Sequence, residues 1–274
     1  MKNFAINTQT TPEWSFEETL VNYKNMGIPA VGIVYDKIRN RSIDDITNIV
    51  NVNNLAISNL SLTGFFTLPK KEIEKKPFCI VDPYYAIDLA NKIKAETLLV
   101  IAGPPDFDNG GIKAAEDIVL ENLEKLSRYA EEKNIKLGLE VIHPMYIDTW
   151  SAVTTIDQAM NIIDKINSKN VGLFLDTYHI FWDPNLYESL ERASGKIFGV
   201  HINDWKYPTT GFMERVVMGQ GIIPIENIIK EIYNNGYRGY FEVEILSGEI
   251  SSNDYKNIIK NAVDYYKKFL LKYE

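Results

Sequence analysis

The stretch VGLFLDTYHIFWD, residues 171–183, begins as an apolar run and ends with a carboxylate and an imidazole, Asp176 and His179. Successive residues of a strand point to opposite faces, so the valine and the two following leucines share one apolar face. Asp176 falls on the opposite face, at the end of the run. The pattern predicts a buried strand that carries polar groups to one end of a sheet or barrel.

Apolar, β-branched runs of this kind alternate with segments of helical period along the whole chain. The eight runs are FAIN (4–7), AVGIV (30–34), LAISNLSL (55–62), TLLVIAG (97–103), KLGLEVI (136–142), VGLFLD (171–176), IFGVHIN (197–203) and YFEVEIL (240–246). Helical period is clearest at 112–133, 155–168 and 252–272. Eight such units predict the α/β class and a (β/α)₈ TIM barrel, with residues 1–274 as a single domain. The alternative is an open, doubly wound sheet.

Composition narrows the class of protein. The 274 residues carry a formal net charge of −8, which disfavours nucleic acid or an anionic membrane as partner. The N-terminal residues contain no apolar signal segment, and no uninterrupted apolar run is long enough to span a bilayer. The only cysteine, Cys79, cannot form an internal disulfide, and we expect it to be a buried structural thiol. These features favour a cytoplasmic location.

Charged residues of the last four runs fall on one face. The opposite face of each run is wholly apolar, so the charged face must be the barrel lumen. The chemistry-bearing residues near the carboxyl ends of these strands are Glu140, Asp176, His201 and Glu244. Active sites of TIM barrels lie at this end, and buried carboxylates are costly unless they are paired or bound to a cation. The four residues predict a divalent-metal site.

Five motifs in the second half of the chain resemble those of a known family. They are GLEVIHPMY, LDTYHIFWDP, GVHINDW, ERVVMGQGIIPIENII and GYRGYFEVEIL, all between residues 136 and 246. Together they resemble the xylose-isomerase-like sugar phosphate isomerase/epimerase superfamily, whose TIM barrel is also that of the AP endonuclease family 2 type. The resemblance implies the same four metal ligands. It selects Glu244 over Glu242 by its distance from Gly236, and places Glu242 one layer deeper, beside a neutralising neighbour.

The resemblance also implies a chemistry. Oxygen-rich ligation with one imidazole suits Mn²⁺ best, with Mg²⁺ or Co²⁺ as alternatives and Zn²⁺ less favoured. In the ketose epimerases of the superfamily two glutamates face the reacting carbon, and Glu140 and Glu244 would take this catalytic role through an enediolate. Two alternatives remain open. The same first step permits a dehydratase or lyase, of the inosose dehydratase or keto-glycoside type, and a barrel without catalysis would bind sugars only.

Further residues are expected to contact a sugar-derived small-molecule substrate. The resemblance assigns His179 and Arg215 to substrate oxygens. His143, which stands where many epimerase relatives have another residue, is included as a substrate contact. All four tryptophans lie near strand ends, and we select Trp14 and Trp182 for stacking against a sugar ring. An endonuclease IV-like activity would require more histidines and a basic surface. Relatives are often oligomers, so a homo-oligomer is expected.

Overall fold

Parallel strands close into a barrel in a computed structural model that describes residues 1–209, 211, 214–248 and 250–274. The barrel strands are β1 (Phe4–Asn7), β2 (Ala30–Val34), β3 (Ala56–Gly64), β4 (Ala95–Ile101), β5 (Lys136–Glu140), β6 (Val171–Asp176), β7 (Ile197–Ile202) and β8 (Phe241–Val243). Each strand pairs with the next, and β8 pairs with β1 through Phe4 and Phe241. The predicted TIM barrel is confirmed.

Helices follow the strands and cover the outside of the barrel. They are α1 (Phe16–Asn25), α2 (Ile43–Asn53), α3 (Pro83–Ile93), α4 (Gly111–Glu132), α5 (Ile156–Ile166), α6 (Leu186–Arg192), α7 (Ile225–Asn234) and α8 (Tyr255–Tyr265). Short helices lie at Lys70–Ile73 and Thr177–Ile180, and the two-residue strands Asp204–Trp205 and Arg215–Val216 form a small antiparallel ribbon. No helix in the described ranges is long and apolar enough to cross a bilayer.

Helix starts follow from local chemistry. Ser15 and Glu18 form a capping box at the start of α1, because the serine side chain accepts from the Glu18 amide and the glutamate accepts from the Ser15 amide. Thr155 and Gln158 make the same exchange at α5. Each motif satisfies amide groups that lack partners inside the helix. The predicted helices 112–133 and 155–168 agree with α4 and α5 within two residues at each end.

Two predicted segments differ from the observed ones. The run 240–246 pairs only over Phe241–Val243, so Glu244 lies just beyond β8. The helix predicted over 252–272 ends at Tyr265, and a π-helical turn, Tyr266–Leu270, follows it before a final 3₁₀ turn. Because Glu244 lies in the loop after β8, its side chain can contact residues outside the barrel strands, such as Arg215.

The lumen of the barrel is filled in layers. The Phe174 ring is 1% exposed and crosses the lumen beneath the polar groups, edge-on to His201 at 4.6 Å between ring centroids. Gly138 and Gly199 leave room for this ring. On β2, Gly32 leaves room for Glu242, because a Cβ atom there would lie 1.8 Å from Oε1 of that glutamate. Glycine on neighbouring strands therefore decides which large side chains occupy the lumen.

Cys79 is buried in a second apolar cluster, separate from the main layer between strands and helices. This cluster includes Leu62, Leu99, Ile142 and the Phe174 ring. Burial raises the pKa of the Cys79 thiol to about 12, which matches the expectation of a structural thiol. The cluster lies inside the barrel mouth, and it becomes one wall of the cavity described below.

Adding one methyl group at Gly199 is expected to destabilise the barrel. A Cβ atom would lie 2.2 Å from Cε2 of the buried Phe174 ring, which has no room to withdraw. The variant Gly199→Ala should lose about 1–3 kcal/mol of unfolding free energy, as overpacked cores do. Gly138→Ala is the matched control, because its Cβ contacts with Phe174 begin at 3.1 Å. Urea unfolding of both variants checks the order, and equal losses would contradict it.

Candidate active site

Three of the predicted ligands converge at the carboxyl end of the barrel. Glu140 ends β5, Asp176 ends β6 and His201 lies in β7, and each is buried. One ligand atom from each lies within 4.8 Å of those of the other two. The pairing of Asp176 with His201 across β6 and β7 fixes this proximity in the backbone. The set therefore has the spacing of side chains that share one cation.

His201 shows how well the residues fit a metal ion. Its Nε2 donates to Oε1 of Glu242 at 3.2 Å, since a carboxylate can only accept. Its buried Nδ1 has no hydrogen-bond partner among the described residues, although Oε2 of Glu244 lies 3.4 Å away and Oε1 of Glu140 3.9 Å away. A ring nitrogen held by a carboxylate on its far side and facing further carboxylates is the arrangement of a metal-binding histidine.

The charge around His201 favours a cation at its Nδ1. Burial lowers the pKa of the ring, but the carboxylates of Glu244 and Glu242 outweigh it and raise the pKa to about 10. Without a metal the ring therefore carries a second proton. Burial raises the pKa of Glu140 to about 8, and the neighbouring Asp176 adds to the rise. A divalent ion would replace these protons, because ligands bind metals in their deprotonated forms.

Asp176 is held rigidly from one side and is open to the site on the other. Its Oδ1 accepts from the backbone amide of Tyr178 at 2.8 Å and from Nδ2 of Asn203 at 2.9 Å. Its Oδ2 accepts from Arg215 at 2.7 Å. Burial raises the pKa of this carboxyl, but the positive charges of Arg215 and His201 outweigh burial, and the pKa is lowered. Asp176 is therefore an anion at neutral pH.

Arg215 links the fourth predicted ligand to the site. One of its terminal nitrogens donates both to Asp176 and to Oε2 of Glu244, the latter at 2.8 Å. Glu244 is consequently turned toward Arg215, and it is not a member of the compact three-residue set. The other terminal nitrogen lies 3.2 Å from Nε2 of His179. The arginine thus sits at the centre of the site, with a buried positive charge between two carboxylates.

His179 and His143 are coupled through the backbone. The His143 amide donates to Nδ1 of His179 at 3.2 Å, and Nε2 of the same ring lies 3.2 Å from a terminal nitrogen of Arg215. Burial lowers the pKa of His179 to about 3 and that of His143 to about 4, so both rings are neutral. His179 contributes to the cavity lining, whereas His143 packs between the rings of Trp205 and Trp182.

The cavity lies directly above the converging groups. It is lined by Gln9, Val34, Ser61, Leu62, Phe78, Leu99, Glu140, Ile142, Tyr146, Trp150, His179, His201, Arg215, Glu244 and Leu246. Trp14 and Trp182 are not among these residues. Trp14 packs edge-on against Tyr255, and Trp182 donates its indole N–H to the backbone oxygen of His179. The tryptophan that does line the cavity is Trp150.

Sequence patterns gave no signal for several of these residues. Leu62 and Leu99 look like ordinary strand residues, because a strand pattern alone does not tell which face reaches the barrel mouth. Tyr146 and Trp150 follow β5 in a loop, where periodicity carries no information. Trp150 is one of the four tryptophans near strand ends, but the prediction selects Trp14 and Trp182 instead. Tyr146 is indicated only by its proximity to His143 in the chain, since the residues after a barrel strand build the mouth.

Comparison with known proteins identifies the same family as the sequence motifs. A family model described as xylose isomerase-like TIM barrel matches residues 20–269. Inosose isomerase of Bacillus subtilis (strain 168) is 33% identical over 161 residues, which are 57% of this chain and 53% of that protein. The chain spans about half the length of the curated relatives it matches.

Two solved structures extend the likeness to the whole fold. The crystal structure of a protein from Sinorhizobium meliloti 1021 is 29% identical, with a TM-score of 0.88 over 98% of both chains. The crystal structure of the IolI protein with a bound zinc atom is 23% identical, with a TM-score of 0.81 over 99% of this chain and 100% of that one. Both share the closed barrel.

Replacing Glu242 by glutamine should weaken metal binding indirectly, because Glu242 contacts the proposed ligand His201. Glu242 accepts hydrogen bonds from Asn7, Ser58, Asn59 and His201. Glutamine has one acceptor oxygen and would point an N–H group at donors, so we expect a loss of about 1–3 kcal/mol of stability. Losing the carboxylate behind His201 should lower Mn²⁺ affinity roughly 10–100-fold. Urea unfolding and calorimetric titration with Mn²⁺ measure the two effects.

Ser58→Ala is the matched control for Glu242→Gln. It removes one hydrogen bond to Oε2, on the side of the carboxylate away from His201. We expect a stability loss of about 1 kcal/mol and Mn²⁺ affinity close to that of the unmodified protein. Unchanged affinity in Glu242→Gln would show that this carboxylate does not support the metal ligand.

Proposed function

The chain belongs to the xylose isomerase-like TIM barrel family, and from this membership we propose that it is a divalent-metal-dependent isomerase or epimerase of a keto-sugar or keto-cyclitol. The observation that carries the proposal is the buried Nδ1 of His201, which has no hydrogen-bond partner in the part of the chain that the structure describes and faces the carboxylates of Glu140, Asp176 and Glu244 at the floor of a cavity. The likeness to an inosose isomerase supports the same class of substrate, a ring with one carbonyl among hydroxyl groups.

Glu140, Asp176 and His201 would hold the metal ion, with Glu244 as the fourth ligand. When bound, the ion supplies Lewis acidity that polarises a substrate carbonyl and acidifies the adjacent C–H bond. Tyr178 and Asn203 fix Oδ1 of Asp176, and Oδ2, which accepts from Arg215, lies 4.0 Å from Nδ1 of His201. Glu244 would exchange part of its contact with Arg215 for the ion, which its position in the loop after β8 allows.

Proton transfer is assigned to the two glutamates. Glu140 reaches the cavity from β5 and Glu244 from the loop after β8, so they approach a bound substrate from different strands. One would remove the proton next to the carbonyl to give the enediolate, and the other would return a proton. Arg215 presents N–H donors in the same cavity, with the His179 ring beside it, and the guanidinium would stabilise the developing oxyanion.

The proposal also covers the metal ion, the cellular location and the oligomeric state of the protein. Three oxygen donors and one imidazole favour Mn²⁺, with Mg²⁺ and Co²⁺ as alternatives. The structural relative with a bound zinc atom makes Zn²⁺ a necessary member of any metal panel. A cytoplasmic location agrees with the unpaired thiol of Cys79, and a homo-oligomer is still expected.

Hydrogen exchange in D₂O tests the proposed reaction. The protein is depleted of metal with a chelator, reloaded with one ion at a time and incubated with inososes and ketohexoses. We expect deuterium at the carbon beside the carbonyl, observed by NMR, only in the metal-loaded protein. Asp176→Asn should lower exchange at least about a hundredfold, since a ligand that holds the ion is lost. Asp183→Asn, outside the cavity lining, is the matched control.

The alternatives give different products in the same experiment. Loss of water or of a substituent, seen as a new unsaturated ketone, would identify a lyase. Ligand binding with a bound metal, but with neither exchange nor elimination across the panel, would identify a non-catalytic sugar-binding barrel. Equal exchange in Asp176→Asn and Asp183→Asn would contradict the assigned metal site.

A further inference from the structure

The cavity is divided into two halves of different chemistry. The ionic half contains all of the charged lining residues, which are Glu140, His179, His201, Arg215 and Glu244. Gln9 and Ser61 are polar lining residues without a charge. The other half is named the β2–β4 half after its strands, but it also takes apolar residues from the loops after β5 and β8. Its apolar lining residues are Val34, Leu62, Phe78, Leu99, Ile142, Trp150 and Leu246. A sugar bound at the ionic half would therefore extend toward a hydrocarbon wall.

This apolar wall has its own packed support. Leu62, Leu99 and Ile142 are each less than 7% exposed and belong to the cluster around Cys79, with Phe78 and Trp150 packed on its surface. The one serine on this side, Ser61, donates its hydroxyl to Asn59. A wall supported in this way offers dispersion contacts and ring stacking, and it does not match a row of sugar hydroxyl groups, which would lose hydrogen bonds to water there.

The cations of the cavity are already engaged. Among the residues that the structure describes, Arg215 is the only arginine or lysine in the cavity lining, and its positive charge is shared between Asp176 and Glu244. Lys76, near the outer face of Trp150, donates to the backbone oxygen of Thr149. A phosphate group needs charge-assisted donors, usually from several basic groups or from a helix N-terminus. The lining provides no such set for it.

We propose that the β2–β4 half of the cavity is a specificity subsite for an apolar, preferably aromatic, substituent on a neutral keto-sugar or keto-cyclitol, and that it excludes phosphorylated substrates. The inference rests on the proposed function in one respect, namely that the carbonyl and its neighbouring hydroxyl bind at the ionic half. Phe78, Trp150 and Tyr146 provide the ring contacts, and Leu62 and Leu99 the floor between them.

Three small hydroxyketones test the subsite without any assumption about sugar stereochemistry. Hydroxyacetone, 2-hydroxyacetophenone (the isomer with its hydroxyl on the carbon beside the carbonyl) and dihydroxyacetone phosphate keep the same vicinal oxygens and differ in a methyl, phenyl or phosphooxymethyl end. Calorimetric titration into the Mn²⁺-loaded protein should show 2-hydroxyacetophenone binding at least about tenfold more tightly than hydroxyacetone, from burial of the ring. Dihydroxyacetone phosphate should bind no more tightly than hydroxyacetone.

Phe78→Ala locates the effect. It should reduce the phenyl-to-methyl affinity ratio at least about threefold, whereas Phe107→Ala, which removes the same side chain from an exposed position, should leave the ratio unchanged. Circular dichroism of both variants reports whether they remain folded, and Trp150→Leu provides a second variant of the wall should Phe78→Ala unfold.

The outcomes separate this inference from the proposed reaction. A ratio near one, tighter binding of the phosphate, or no binding of the phenyl compound would overturn the apolar subsite, whatever the D₂O experiment shows. A high ratio that falls in Phe78→Ala supports the subsite even where no exchange is found with inososes or ketohexoses, and only the proposed reaction would then fail.

Discussion

The structure depends on the cost of holding carboxylates inside a barrel. Glu140, Asp176, Glu242 and Glu244 all approach one imidazole, and a buried charge without a partner is strongly destabilising. The protein meets this cost with a protonated His201 and with Arg215, which bonds to two of the carboxylates. The same excess of negative charge would give the proposed site its affinity for a divalent ion. Stability and metal binding therefore have a common electrostatic origin.

The depth of the site is set by side-chain volume. Glycines on β2, β5 and β7 leave space for two large groups, the Phe174 ring and the Glu242 carboxylate, one beside and one behind His201. These groups prevent His201 from turning deeper into the lumen. Interiors are close-packed, so a site built on such a floor resists small displacements of its ligands. Phe174 and Glu242 thus hold His201 in place, although neither of them is a proposed metal ligand.

Because side chains alternate between the two faces of a strand, the positions of Glu140, Asp176 and His201 could be predicted from the sequence. The face of Glu140, Asp176 and His201 follows from counting residues in β5, β6 and β7, and the observed strands keep that count. The choice of Glu244 over Glu242 came from the family resemblance and not from this count. Loops obey no such rule. Glu244 turns toward Arg215, and Trp14 and Trp182 pack away from the cavity lining, because loop geometry depends on tertiary contacts that a single sequence does not show.

The charged and the apolar halves of the cavity differ in how freely their residues can be substituted. Charged ligands on β5–β7 are constrained by one another, since moving any of them leaves a buried charge unpaired. The apolar residues of β2–β4 carry no such constraint, and exchanging one hydrocarbon side chain for another of similar volume costs little. Substitutions on the β2–β4 side would therefore alter the proposed subsite at little cost in stability, and the proposed metal ligands would keep their partners.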